Sequence, residues 1–167
     1  GLTLVVVGLC SLLGIACSPV PPLAELEPAH WQAYQQAFIT SDGRVVDVGN
    51  GGISHTEGQG YAMLLAVSAN DRETFQRLWS WTRTHLPREN DPFFSFSWHP
   101  LKTPNIPDKN NASDGDLLIA WALARADQRW NVKEYRHEAI ALAAAIREKL
   151  LRPCLLYTSP SPRDRTR

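Results

Sequence analysis

The sequence predicts an all-α protein of the α/α toroid class, in which inner helices are wrapped by outer ones. Three observations predict it. Two helical stretches are apolar on nearly every face, and each is followed after a short break by a helix apolar on one side only. A long loop rich in proline and aromatic residues separates the two pairs. A helix apolar all round must be buried all round, which makes it an inner helix, and the loops at one end of such an array form a site. A helical-repeat solenoid is the alternative, and the lack of any fixed-period repeat counts mildly against it.

The elements follow in order. Residues 1–17 open on Gly and run apolar from Leu2 to Cys17, the pattern of a signal peptide without its basic beginning. Gly14-Ile15-Ala16-Cys17 is similar to a lipobox, which would attach the exported chain to a membrane through a lipidated Cys17. Ordinary cleavage near Ala16 is the alternative. Residues 18–27 read as a Pro-rich linker. Trp31, Tyr34 and Phe38 at helical spacing predict a first helix over about 27–40, stopped by Ser41-Asp42-Gly43. Val45 to Val48 reads as a short extended piece, and Asn50-Gly51-Gly52 as a turn. The first inner helix is expected over about 57–69, with Ser54 and Glu57 as its capping box. Asn70 and Glu73 would open an outer helix over 72–86.

The loop over 87–112 carries Pro87, Pro92, Pro100, Pro104 and Pro107 among Phe93, Phe94, Phe96 and Trp98, and loops of this length are usually functional. A second inner helix is predicted over 114–127 and a second outer one over 133–151. Residues 153–167 have no apolar period and read as an adapter-derived, non-native tail.

Composition narrows the function. Seventeen basic residues balance seventeen acidic ones, so nothing in the charge argues for nucleic acid or an anionic membrane surface. Cys10 and Cys17 lie in the export segment and Cys154 in the tail. The remaining domain implies neither disulfides nor a Cys-ligated metal, and no cofactor is implied. Six Trp in so short a chain serve as core or stack on sugar faces.

Two acidic motifs stand at helix starts. Glu57 sits in Ser54-His55-Thr56-Glu57-Gly58-Gln59-Gly60-Tyr61-Ala62-Met63. It is either a cap or a catalytic acid. Glycines inside a helix cost roughly 1 kcal/mol each relative to Ala, which close approach to a ligand or a neighbouring helix would justify. Asp114 and Asp116, in Ala112-Ser113-Asp114-Gly115-Asp116, either cap the next helix or present carboxylates to a ligand. Without nearby His a transition-metal site is not expected. The Phe group reads as a loop folded on its own core, and Trp98 as a candidate sugar platform. His55 and His99 have no spacing that implies a triad or a metal.

At these residues the chain resembles glycoside hydrolase family 8, bacterial endoglucanases, chitosanases and some xylanases. Thr56 to Met63 match the family's Ser/Thr-Glu-Gly-Gln-Gly/Ser-Tyr-Gly-Met, with Ala62 for Gly. Ala112 to Ala120, then Ala126 to Trp130, match its second signature. The resemblance covers 28–152 and implies an (α/α)6 barrel, present as roughly its first half, that cleaves β-1,4-linked polysaccharide with inversion. It implies Glu57 as proton donor and Asp114 as the family nucleophile position, gripping the sugar. Tyr61, Trp98 and Asp116 would bind substrate, and a separate base would lie downstream of residue 152. A monomer in the periplasm, at the outer membrane or outside the cell is expected. A non-catalytic glycan-binding envelope lipoprotein, or a chitosanase or xylanase of the same family, is the alternative.

Overall fold

The computed structural model describes residues 24–150. The export segment with Cys17, residues 18–23 of the linker, and the tail from 151 lie outside the described residues. Helix α1 spans Pro28–Phe38, with Pro28 at its first turn, where the missing N–H is not needed. Trp31 is buried, and its indole N–H donates to Asp71 Oδ2 at 2.9 Å. Tyr34 and Phe38 continue the aromatic row at centroid distances of 5.9 and 5.1 Å.

The chain then reverses at Gly43. Its φ is +95°, and a Cβ there would lie 2.3 Å from the Arg77 carbonyl oxygen, so no other residue fits the turn. Val45 bridges back to Ile39 and Asp47 bridges to Ile53, the extended piece that the sequence suggests. Gly51 and Gly52, both at positive φ, make the turn between them. Strand β1 (Ser54–His55) pairs antiparallel with β2 (Ser97–Trp98), so that Ser54 faces Trp98 and His55 faces Ser97.

Helix α2 (Thr56–Ser68) buries Ala62, Met63, Ala66 and Val67 but leaves Glu57 and Tyr61 exposed along one face, so it is not covered all round as the sequence predicts. Outer helix α3 (Arg72–His85) turns Phe75, Leu78, Trp79 and Trp81 inward. Inner helix α4 (Ser113–Trp130) buries Ile119, Ala122, Leu123 and Ala126. Outer helix α5 (Lys133–Ala145) continues through a π turn, Ile146–Leu150. Gly60 abuts Leu118 and Ile119 while Gly115 abuts Thr56 and Glu57, so α2 and α4 run parallel, their N-termini at one end. Their shared core of Met63, Val67, Phe75, Leu78, Ile119 and Leu123 is almost free of solvent. Such side chains each contribute about 1.5–3 kcal/mol by leaving water.

Two caps differ from expectation, and a third helix has none. The cap of α2 is His55, whose Nδ1 accepts from Gly58 N–H at 3.0 Å. Ser54 is instead held in the strand, donating to the Val45 carbonyl at 2.5 Å. The cap of α3 is Asp71, accepting from Thr74 N–H, because Asn70 is left-handed at φ 56° and turns its Oδ1 to Arg129 and Trp130. Helix α4 has Ala112 at its cap position and no side-chain cap, and Asp114 and Asp116 lie in its first turn.

Buried Gln59 ties three segments together. Its Oε1 accepts from Val45 N–H at 2.6 Å, and its Nε2 donates to the carbonyls of Gly43 and Leu78 and to Thr82 Oγ1 at 3.2, 3.3 and 3.0 Å. Among the described residues no helix is long and apolar enough to cross a membrane.

Candidate active site

The parallel packing of α2 and α4 carries Glu57 and Asp114 to the same end of the protein, each in the first turn of its helix. Both side chains are exposed, and both line one open pocket of about 230 Å³. Its other walls are Asn50 and Ile53 from the glycine turn, His55 and Thr56 from the start of α2, Phe96 and Ser97 from the long loop, and Ala112. The glycines make this closeness achievable. A Cβ on Gly115 would lie 2.0 Å from Thr56 Oγ1 and 3.0 Å from Glu57 N, and one on Gly60 would lie 2.7 Å from Leu118 Cβ. Gly60 thus serves the neighbouring helix.

The long loop is fastened to both helix starts. Thr56 N–H donates to the Phe96 carbonyl at 3.0 Å. Asp116 is fully buried, its Oδ1 accepting from Phe94 N–H at 3.1 Å and its Oδ2 from Asn111 Nδ2 at 2.8 Å. Burial pushes the Asp116 carboxyl above its ordinary value, against the lowering pull of Asn111, Phe94 N–H and Arg88. The structure therefore turns Asp116 away from the pocket, to which it offers no free oxygen.

The other sequence candidates are placed as follows. Tyr61 lies one turn beyond Glu57 on the same face of α2 and is half exposed, outside the pocket's lining. Trp98 is not brought to this pocket: strand alternation gives Ser97 to it, and the Trp98 ring packs edge-on against Trp81 and His85 under the Arg44 guanidinium, 5.0 Å from the ring centroid. Glu57 stands exposed in the first turn of α2.

Two further depressions adjoin the pocket. One, of about 310 Å³, shares His55 and is lined by Tyr34, Phe38, Val45 and Asp47. The other, of about 410 Å³, shares Asn50 and Ile53 and is lined by His99, Pro100, Leu101 and Lys102. The pocket of the acidic pair thus has one open depression beside His55 and another beside Asn50 and Ile53. Sequence reasoning passed over His55, Asn50 and Ser97, which are assembled by the strand pairing. The one local signal for His55 was an acidic residue on the far side of a Gly-Gly turn.

A family model described as Glycosyl hydrolases family 8 matches residues 9–153. The chain belongs to glycosyl hydrolase family 8. The endoglucanase of Cellulomonas uda is 47% identical over 116 residues, spanning 70% of this chain and 32% of that protein. The probable endoglucanase of Novacetimonas hansenii is 47% identical over 121 residues, with 72% and 35% covered. Among solved structures, a family 8 endo-β-1,4-glucanase from an Achatina fulica gut metagenomic library superposes with a TM-score of 0.70 at 48% identity, covering 71% of this chain and 38% of that one. The chain spans about a third of the length of the family 8 relatives it matches. The fold class is all-α, the (α/α)6 barrel of family 8, to which α2/α3 and α4/α5 contribute inner–outer pairs.

Proposed function

We propose that the protein is an endo-acting, inverting β-1,4-glucanase acting on cellulose or a related β-glucan. The observation that carries this is the convergence of Glu57 and Asp114 on one open pocket with further depressions beside it. The pocket is smaller than the ~300–1,000 Å³ that encloses a whole small ligand, which suits one unit of a longer chain passing through. Identity of 47–48% to endoglucanases supports the glucan over other polymers.

In this reading Glu57 donates a proton to the glycosidic oxygen as the bond breaks. Asp114, ionised, grips the sugar whose ring flattens towards an oxocarbenium ion. Tyr61 extends the same face towards the substrate. Asp116 acts from behind, holding the loop that forms the far wall. The water-activating base is assigned to none of the described residues. Export is proposed on the apolar run 2–17 alone.

The test is Glu57→Gln in the full-length protein, assayed by reducing-end release from soluble β-glucan. Turnover should fall at least about 100-fold, the lower range for a lost general acid, while binding of the polymer persists. Undiminished hydrolysis by the variant would refute the assignment.

A further inference from the structure

Glu57 does not stand alone at the start of α2. The preceding residue but one, His55, is a cap of an unusual kind: Ser, Thr, Asp or Asn ordinarily fills this position. Here the imidazole Nδ1 accepts from Gly58 N–H at 3.0 Å, closing the turn that contains Glu57. An acceptor at Nδ1 places the ring proton on Nε2. That nitrogen faces Asp47 Oδ2 at 3.4 Å, so the carboxylate favours the tautomer the cap needs. Asp47 is itself fixed. Its Oδ1 accepts from Gly49 N–H at 3.2 Å, and its backbone bonds to Ile53 and Gly52 hold the glycine turn.

The His55 ring also forms part of the pocket wall beside Glu57. We propose that His55, oriented by Asp47, is the positioning residue of this site: it holds the first turn of α2 so that the Glu57 carboxyl points into the pocket at the scissile bond. The chain Asp47–His55–Gly58 links the glycine turn to the acid. His55 needs no contact with substrate for this. The role deepens the proposed function and rests on Glu57 being the acid.

Three substitutions separate capping from bulk. Asn carries an acceptor oxygen near the position of Nδ1, so His55→Asn keeps the cap. Gln extends its amide to the position of Nε2, so His55→Gln keeps the Asp47 contact and drops the cap. His55→Ala drops both. On the full-length protein with soluble β-glucan, His55→Ala and His55→Gln should lose about 100-fold in kcat, the effect of an ångström-scale misplacement, with KM little changed. His55→Asn should recover most of that loss. A purely structural cap would lower thermal stability without changing kcat per folded molecule. In parallel, nitrogen-15 NMR of the wild type should show His55 protonated at Nε2 and bare at Nδ1. Equal losses in the Ala and Asn variants, an unchanged kcat in His55→Ala, or a proton on Nδ1 would overturn the proposal. With Glu57→Gln run alongside and inactive, such a result removes the role of His55 while leaving the glycosidase reading in place. An active Glu57→Gln removes both.

Discussion

Replacing Gly115 with Ala would drive a methyl group into the start of α2. Its carbon would lie 2.5 Å from Thr56 Cβ, 2.0 Å from Thr56 Oγ1 and 3.0 Å from Glu57 N. Carbon atoms rest about 3.5–4.0 Å apart, so the two helix starts must separate by about 1 Å. No rotamer change relieves the clash, because a Cβ and a backbone nitrogen are among the obstacles. Overpacking of this kind costs about 1–3 kcal/mol, which lowers the Tm by several degrees in a domain of this size. The separation also moves Glu57 relative to Asp114, and a displacement of about 1 Å can cost about 100-fold in rate. Differential scanning calorimetry and reducing-end assays on the full-length protein measure the two effects. Gly49→Ala is the control, since its Cβ would meet only Asp47 Oδ1, at an ordinary 3.6 Å. Gly60→Ala should couple to Gly115→Ala in less than additive fashion, because one shift of α4 relieves both clashes. A Gly115→Ala protein with unchanged Tm and kcat would show that the helix starts are not in contact and would refute the reasoning.

Further outcomes follow from buried or partly buried polar groups. Gln59→Leu leaves Val45 N–H and the Gly43 carbonyl without their partners, at about 1–3 kcal/mol for each buried orphan, and should lower the urea midpoint at unchanged m-value. Partial burial pushes the Asp71 carboxyl upward, but Thr74 N–H, the Trp31 indole, Thr74 Oγ1 and Arg77 together hold it below 3.8. A lowered folded value means the stabilisation is complete above the unfolded value and is lost as pH falls through the folded one. Asp71→Asn should therefore flatten the Tm profile below pH 3.8, and an unaltered acid limb would count against the cap. Trp98→Ala should lower the Tm through the lost contacts with Trp81, His85 and Arg44. A defect confined to KM would instead favour a sugar-stacking role.

The helices were legible because apolar periodicity is a local property. All five expected helices form, with ends displaced by a few residues. The caps were not legible. At α2 and α3 the sequence offers two adjacent acceptors, Ser54 with His55 and Asn70 with Asp71. The choice is made by remote partners: the Val45 carbonyl takes Ser54, and Arg129 and Trp130 take Asn70. Glu57 and Asp114 stood out because acids at glycine-marked helix starts are conspicuous. Asp116 looked equivalent to Asp114, yet two positions along a helix turn it from the solvent side into the core. Which of Ser97 and Trp98 faces the pocket depends on the register of a two-residue ladder, and a slip of one residue would exchange them. The need for Gly115 arises only when Thr56 is pressed against it.

The segment Phe93 to Trp98 works as a strap. It is buckled to α2 by the Phe96 carbonyl and by β1, and to α4 by Asp116 through Phe94 N–H. The stretch beyond it, from His99 to Lys109, is mostly exposed. Mutations can therefore reshape the depression lined by His99 to Lys102 while the spacing of the two acids stays clamped from behind. A scaffold divided in this way lets its rim drift while the geometry beneath it is kept.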